Sequence, residues 1–287
     1  MSSATRLVVF GAVLAVLFSA AAAAGGALDP DAADPEPAEA MAGAAHGGGE
    51  PEGGAAHAGP AKVHGLAVSD AGLRLDVRTP ELRRGRAQEL AFRVLNEQGE
   101  PVRDYDVEHE RRMHLIVVRR DLTGFQHLHP ELRPDGTWVA PITLPDAGSY
   151  RVFADFSHDG TATTLAGDLR VDGPADLRPL PAPAATAPAG DGYAVELGTG
   201  TAHAGDEAEL RFTVTRDGRP VETEPYLGAG GHLVALREGD LAFLHVHPAD
   251  GLGFMATFPS PGRYRLFLQF RHEGVVRTAA FTQAVAR

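Results

Sequence analysis

One unit of roughly a hundred residues occurs twice in this chain. In the first copy MHLIVVRRDLTGFQHLHP is followed by LPDAGSYRVFADFSHDG; in the second GHLVALREGDLAFLHVHP is followed by FPSPGRYRLFLQFRHEG. Upstream, ELAFRVLNEQGEPV matches AELRFTVTRDGRPV. A period of this length is too long for a solenoid unit and suits one small domain per copy. The chain must therefore build two similar domains, 66–172 and 193–287, and not one large core. Between them Pro174, Pro179, Pro181, Pro183 and Pro188 fall in the stretch 173–192, which reads as a semi-rigid linker because proline fits neither a helix interior nor a central strand.

Each copy reads as strands. LRLDVR, ELAFRVL, HLIVV, TWVAPITL and YRVFADF are short β-branched or aromatic runs, bounded by Gly, Pro, Asp and Asn at regular spacing. NEQG (96–99) and RDG (216–218) have the composition of tight turns. The 34 glycines and 21 prolines speak against an all-helical chain. The expected fold class is all-β, with two tandem immunoglobulin-like β-sandwich domains and no substantial helix beyond the N-terminus. Trp138 is expected in the core. The chain has no cysteine, so the buried Cys pair of antibody domains is missing. Thiolate nucleophiles, disulfides, iron–sulfur clusters and cysteine-ligated copper are excluded with it.

Residues 7–28 form an apolar run broken only by Ser19 and preceded by Arg6, which reads as a signal peptide or an uncleaved membrane anchor over 1–28. The remainder is expected to be extracytoplasmic, either secreted or anchored to the cell membrane by that run. Residues 29–65, rich in Ala, Gly, Pro and acid, read as a disordered tether, and His46, His57 and His64 as parts of that solvated spacer. The formal charge of −12 argues against nucleic-acid partners and against membrane contact outside the N-terminal segment.

Histidine, with 13 copies, is the unusual chemical resource. His114, His127, His129 and His158 recur as His232, His245, His247 and His272, with the His-x12-His-x-His spacing kept in both copies. A hairpin turning at Asp121 and Leu122 pairs residues whose numbers sum to 243, so His114 faces His129. With the turn at Gly239 and Asp240 the sum is 479, and His232 faces His247. Cross-strand neighbours have Cβ atoms about 4.5–5.5 Å apart, and an i, i+2 pair shares one face at about 7 Å. Each domain is therefore expected to carry its own three-imidazole face, joined by His158 and His272 if the sheet order allows. Neutral imidazole suits borderline ions, so the implied cofactor is Cu(II) or Zn(II). Asp121 and Asp240 read as turn residues, His109 and His203 as surface residues, and Arg111, Arg112, Arg119 and Arg120 as a basic rim.

The paired signatures, together with GSYRVFADF and GRYRLFLQF, resemble a group of actinobacterial exported tandem-repeat proteins of uncharacterised function, similar to YtkA-like domains and described as heavy-metal-associated secreted proteins. The resemblance spans roughly residues 66–287. More remotely, an exported β-sandwich with His-x-His is similar to copper-resistance proteins of the CopC kind and to copper/zinc superoxide dismutase. This chain lacks the dismutase's disulfide and dense His/Asp zinc loop, and no histidine can be assigned to a mature N-terminus as in CopC-like proteins.

Three functions follow as expectations. The first is extracytoplasmic Cu(II) or Zn(II) handling through one His cluster per repeat, with an envelope metal-handling protein as partner and binding that weakens below about pH 6. The second is an envelope-tethered immunoglobulin-like interaction module with structural histidines. The third is a copper-dependent redox enzyme, for which no paired carboxylates, Ser/His/Asp order, phosphate loop or nucleotide fingerprint is apparent in the sequence.

Overall fold

The structure, a computed structural model, describes residues 63–198 and 200–287. The expected leader, 1–28, and the tether up to residue 62 lie outside them. No helix among the described residues is long and apolar enough to cross a membrane.

The first domain is a two-sheet sandwich. One sheet runs Ser69–Asp70, Leu73–Val77, Ala87–Leu95, Trp138–Thr143, Glu131–Leu132. The other runs Glu81–Leu82, Thr161–Val171, Gly148–His158, His114–Arg119, Gln126–Leu128. The Glu81–Leu82 strand is parallel to its neighbour, whereas the remaining pairs are antiparallel. Taken in spatial order, with Ser69–Asp70 as a short edge addition and Leu73–Val77 as strand A, this is an A-B-E-D sheet against an A′-G-F-C-C′ sheet, the immunoglobulin topology. Tyr150 donates its hydroxyl to the Asp146 carbonyl (2.8 Å), and Tyr264 does the same to Ser260 (2.9 Å). Both are tyrosine corners at the start of strand F. The second domain repeats the order with Thr186–Pro188, Tyr193–Gly198, Glu207–Arg216, Gly253–Thr257 and Val246–Pro248 in one sheet, and Ala202–His203, Val275–Ala286, Gly262–His272, His232–Arg237 and Phe243–Leu244 in the other. The tandem immunoglobulin-like sandwich expected from the repeat is the fold. Trp138 is buried in the first core, beside Phe92 and Phe156.

The hairpin registers match the arithmetic. Ile116 faces His127 in the first domain and Leu236 faces Phe243 in the second. The second domain begins earlier than residue 193, because Thr186–Pro188 pairs with Tyr193–Gly198 as an outermost strand. Pro188 is tolerated there, since an edge position has no ladder partner waiting for its missing N–H. The linker is also held in place: Leu180 is buried with residues of both sandwiches, and Arg178 donates its backbone N–H to Asp121.

What the repeat alone did not reveal is a third core. Along His114–Arg119, Leu115 and Val117 point into the first sandwich, while Ile116 and Val118 point outward. In His232–Arg237, Leu233 and Ala235 point inward, and Val234 and Leu236 outward. The outward residues, with Phe153, Leu241, Phe243 and Phe267, form one buried cluster, so the two equivalent sheets pack outer face to outer face. The contact is close to self-complementary. Phe267 stacks on Phe125 (4.0 Å between centroids), and the equivalent Phe153 lies 5.5 Å from Phe243. Such reciprocity is that of an isologous dimer interface, here between two copies within one chain. Gly65 is wedged into it at φ 66°, where a Cβ would lie 2.8 Å from Phe153 and from Phe243.

Arg119 is not part of a basic rim. It is 1 % exposed, paired with Asp121 (2.6 Å), and donates to the carbonyls of Ala147 and Asp176. Arg111, Arg112 and Arg120 are exposed. Phe267→Ala is expected to lower unfolding free energy by about 3 kcal/mol or more, as for other buried Phe truncations. The measurement is a urea titration at unchanged far-UV dichroism, and a loss under about 1 kcal/mol would mean the two sheets hold together without that ring.

Candidate functional site

The face-to-face packing determines where the histidines go. His114 shares the outward side of its strand with Ile116 and Val118, so it is carried into the interface and is 3 % exposed. His127, opposite Ile116, faces the same way. His129 follows at the strand end before buried Pro130. Nitrogen atoms of His114, His127 and His129 lie within 4.8 Å of one another. Their ring centroids are 4.8 to 5.2 Å apart.

His232 does not form a second triad with His245 and His247. Its ring stacks on His114 (5.4 Å, 8° between planes) and lies 4.7 Å from His127, so it joins the first domain's cluster from across the interface. His109 is exposed, as expected, and its ring lies 6.1 Å from His114 and 5.9 Å from His232. It is placed there by a tight turn in which Glu108 and Arg111 exchange two backbone hydrogen bonds and His109 and Glu110 take positive φ.

His245 and His247 are exposed and 5.6 Å apart, and His64 approaches His245 at 5.7 Å. The cause is a shorter connection. Tyr150 lies 21 positions after His129, but Tyr264 only 17 after His247. The second domain's strand therefore leaves its hairpin after Leu244, and Val246–Pro248 pairs with Gly253–Thr257 on the opposite sheet. His158 and His272 stay apart from the cluster. His158 Nδ1 contacts the Asp104 carbonyl (2.9 Å), and His272 Nδ1 contacts the Tyr193 hydroxyl (2.8 Å). His203 meets the Arg287 carbonyl (3.0 Å). Asp121 and Asp240 sit in their turns, each paired with an arginine, Arg119 and Arg237.

The hydrogen bonds define the tautomers. His114 Nε2 lies 3.2 Å from the Glu108 carbonyl, which can only accept, so Nε2 carries the proton. His127 Nδ1 lies 2.6 Å from Gln269 Oε1 and carries the proton for the same reason. The two remaining nitrogens, His114 Nδ1 and His127 Nε2, are then both bare and face each other at 3.0 Å. His129 Nε2 is buried with no hydrogen-bond partner. Two nitrogen lone pairs thus face each other with no proton between them, beside the His129 ring.

Burial opposes protonation of these rings. Desolvation, reinforced by neighbouring imidazoles, lowers the His114 pKa to about 3, and lowers His127 and His129 to about 4. His232 is pushed well below its ordinary value by the same causes. A narrow cavity of about 40 Å³, bounded by His114, His232, His109, Asp155 and His245, has room for a water or an ion. Burial raises the pKa of Asp155 there, against a hydrogen bond from the Thr164 hydroxyl (2.6 Å). Asp155 and Gln269 occupy equivalent repeat positions; Asp155 lines one cavity with His245, whereas the Gln269 amide accepts from His127.

The chain belongs to the family described as Domain of unknown function (DUF8832), which it matches twice, over residues 67–173 and 185–287. No curated protein matches it. Among solved structures it is similar to a Salmonella alpha-2-macroglobulin reacted with methylamine (15 % identity, 79 % of this chain and 15 % of that one, TM-score 0.28). It is also similar to the Escherichia coli adhesin FdeC (16 %, 77 % and 66 %, TM-score 0.27) and to the tandem Ig repeats of Dlar (11 %, 75 % and 98 %, TM-score 0.21). The chain thus spans less than two thirds of the macroglobulin and of the adhesin.

The depressed imidazole pKa values have a stability consequence of definite sign. Unfolded histidines protonate near pH 6.5, whereas the folded triad stays neutral down to about pH 4. The unfolded chain then binds more protons, so the metal-free protein should be fully stable above pH 6.5 and lose stability steadily as pH falls toward 4. Urea midpoints taken from pH 7 to 4 check this, and a flat profile would contradict the buried neutral triad.

Proposed function

We propose that this protein binds a divalent transition metal, Zn(II) or Cu(II), at the interdomain triad of His114, His127 and His129, and that its role is metal handling outside the cytoplasm. The observation that carries the reading is the pair of bare nitrogens, His114 Nδ1 and His127 Nε2, facing each other at 3.0 Å while their outer N–H groups donate to oxygen. That pattern is the usual one for metal-ligating imidazoles, in which an outer acceptor sets the tautomer and the ring orientation. The unpartnered His129 Nε2 supplies the third donor. An all-imidazole set without sulfur or carboxylate favours borderline Zn(II) or Cu(II) over Ca(II), Mg(II) or Cu(I).

The acceptor for His127 is Gln269 of the second domain, and His232 of that domain caps the rings. The first domain holds the ligands and the second orients them, so one site serves the pair of repeats. The apolar run at 7–28 and the likeness to heavy-metal-associated secreted proteins support the extracytoplasmic setting and an envelope metal-handling protein as partner. An envelope-tethered interaction module is favoured instead by the immunoglobulin-like topology of both domains.

Competition titration of the full chain with Zn(II) and a chelator tests the choice. One tight ion is expected at the triad, lost on replacing His114, His127 and His129 together by Ala, and weakened about 10–100-fold by Gln269→Ala. Because the triad is neutral at pH 5, Zn(II) should remain bound there, below the pH 6 threshold that ordinary imidazoles imply. Folded wild-type protein that takes up neither Zn(II) nor Cu(II) at micromolar concentration would leave the interaction module as the function.

A further inference from the structure

We infer that the second domain carries a separate, solvent-open site for a soft monovalent metal ion of the Cu(I) class, formed by His64, His245, His247 and the thioether of Met255. It shares no ligand with the interdomain triad and does not depend on it.

The shortened connection that takes His245 and His247 away from His232 places them in a surface groove of about 190 Å³, lined also by His64, Glu207 and Met255. Two ring pairs span it, His64 with His245 at 5.7 Å and His245 with His247 at 5.6 Å. His247 and Met255 are direct partners across antiparallel strands, so their side chains lie on the same face of the sheet. That face is the outer one, because Phe254 and Ala256 on either side of Met255 are core residues while Met255 is partly exposed. His64 is brought to the groove by its backbone, whose carbonyl accepts a hydrogen bond from the Phe243 N–H (3.0 Å). His247 is exposed on the outer face, and His245 is exposed beside it, so the groove is open to an ion from solvent.

The donor set separates this groove from the triad. Thioether sulfur selects soft ions, and imidazoles beside it complete a coordination shell that Cu(I) accepts and that hard cations do not. The triad has three nitrogens and no sulfur. Met113, next to His114, is 1 % exposed and belongs to the first sandwich core, so it does not supply one.

Ag(I) is the redox-inert probe, added to the full chain labelled with 13C at the methionine methyls, with Met255→Leu identifying the resonance. One equivalent is expected to shift the Met255 methyl, and to do so equally in protein whose His114, His127 and His129 are all Ala. The paired exposed changes His245→Ala and His247→Ala should abolish the shift. Met255→Leu should weaken Ag(I) at least about tenfold while leaving Zn(II) affinity within about twofold. A Met255 methyl that does not move, or that moves regardless of His245 and His247, overturns the site. Loss of the shift in the triad variant would overturn its independence. Loss of Zn(II) binding alone in that variant concerns the triad and leaves the groove standing.

Discussion

The structure depends on the burial of two equivalent sheet faces against each other. An isolated immunoglobulin-like sandwich keeps its sheets' outer faces in water and so alternates apolar and polar residues along each strand. His114–Arg119 does not alternate: every residue in it is buried, because Leu115 and Val117 fill one core and Ile116 and Val118 another. The same holds in the second copy for Val234 and Leu236. Water exclusion by this interface core desolvates the histidines that share those faces. It also explains why the end of the tether and part of the linker are built in, with Gly65 against Phe153 and Phe243 and Leu180 in the cluster.

Near-symmetric packing makes an asymmetric site because the copies differ in a few places. His114 and His232 meet at equivalent positions and stack. Away from them the halves diverge. On one side His127 and His129 stay on the hairpin and Gln269 accepts from His127. On the other the strand crosses early, His245 and His247 become exposed, and Asp155 stands where the amide stands opposite. A four-residue difference in loop length thus separates one histidine constellation into a dry site and a wet one. Loop shortening is thermodynamically mild, but with it the chain crosses to the opposite sheet directly after Leu244 instead of after the His127-bearing strand, so that His245 and His247 leave the hairpin face.

Chemistry follows from that division. Imidazoles packed against apolar side chains resist protonation, because the charged form is the one that loses solvation. With both outer N–H groups directed to oxygen acceptors, the inner nitrogens of His114 and His127 have no proton to share, which leaves the cluster weakly basic and neutral. Exposed His247 has no such constraint and lies across the strand pair from a polarizable sulfur instead.

By itself the sequence determined the two-domain plan, the all-β class, the hairpin registers in both copies and the co-facial set His114, His127 and His129, since strand alternation and turn chemistry are local and period-two geometry is rigid. The length difference after His247 was also present in it, as a four-position gap between matched signatures, but its meaning required knowing where the chain leaves the hairpin for the opposite sheet. Only the tertiary structure decided that His232 leaves its own copy for the other, that His109 and His64 join clusters, that Arg119 is buried, and that Gln269 orients His127. These are contacts between residues more than a hundred positions apart or between a loop and a sheet. They arise from docking two outer faces, and the pattern of apolar residues along one strand reports that such a face is buried without saying against what.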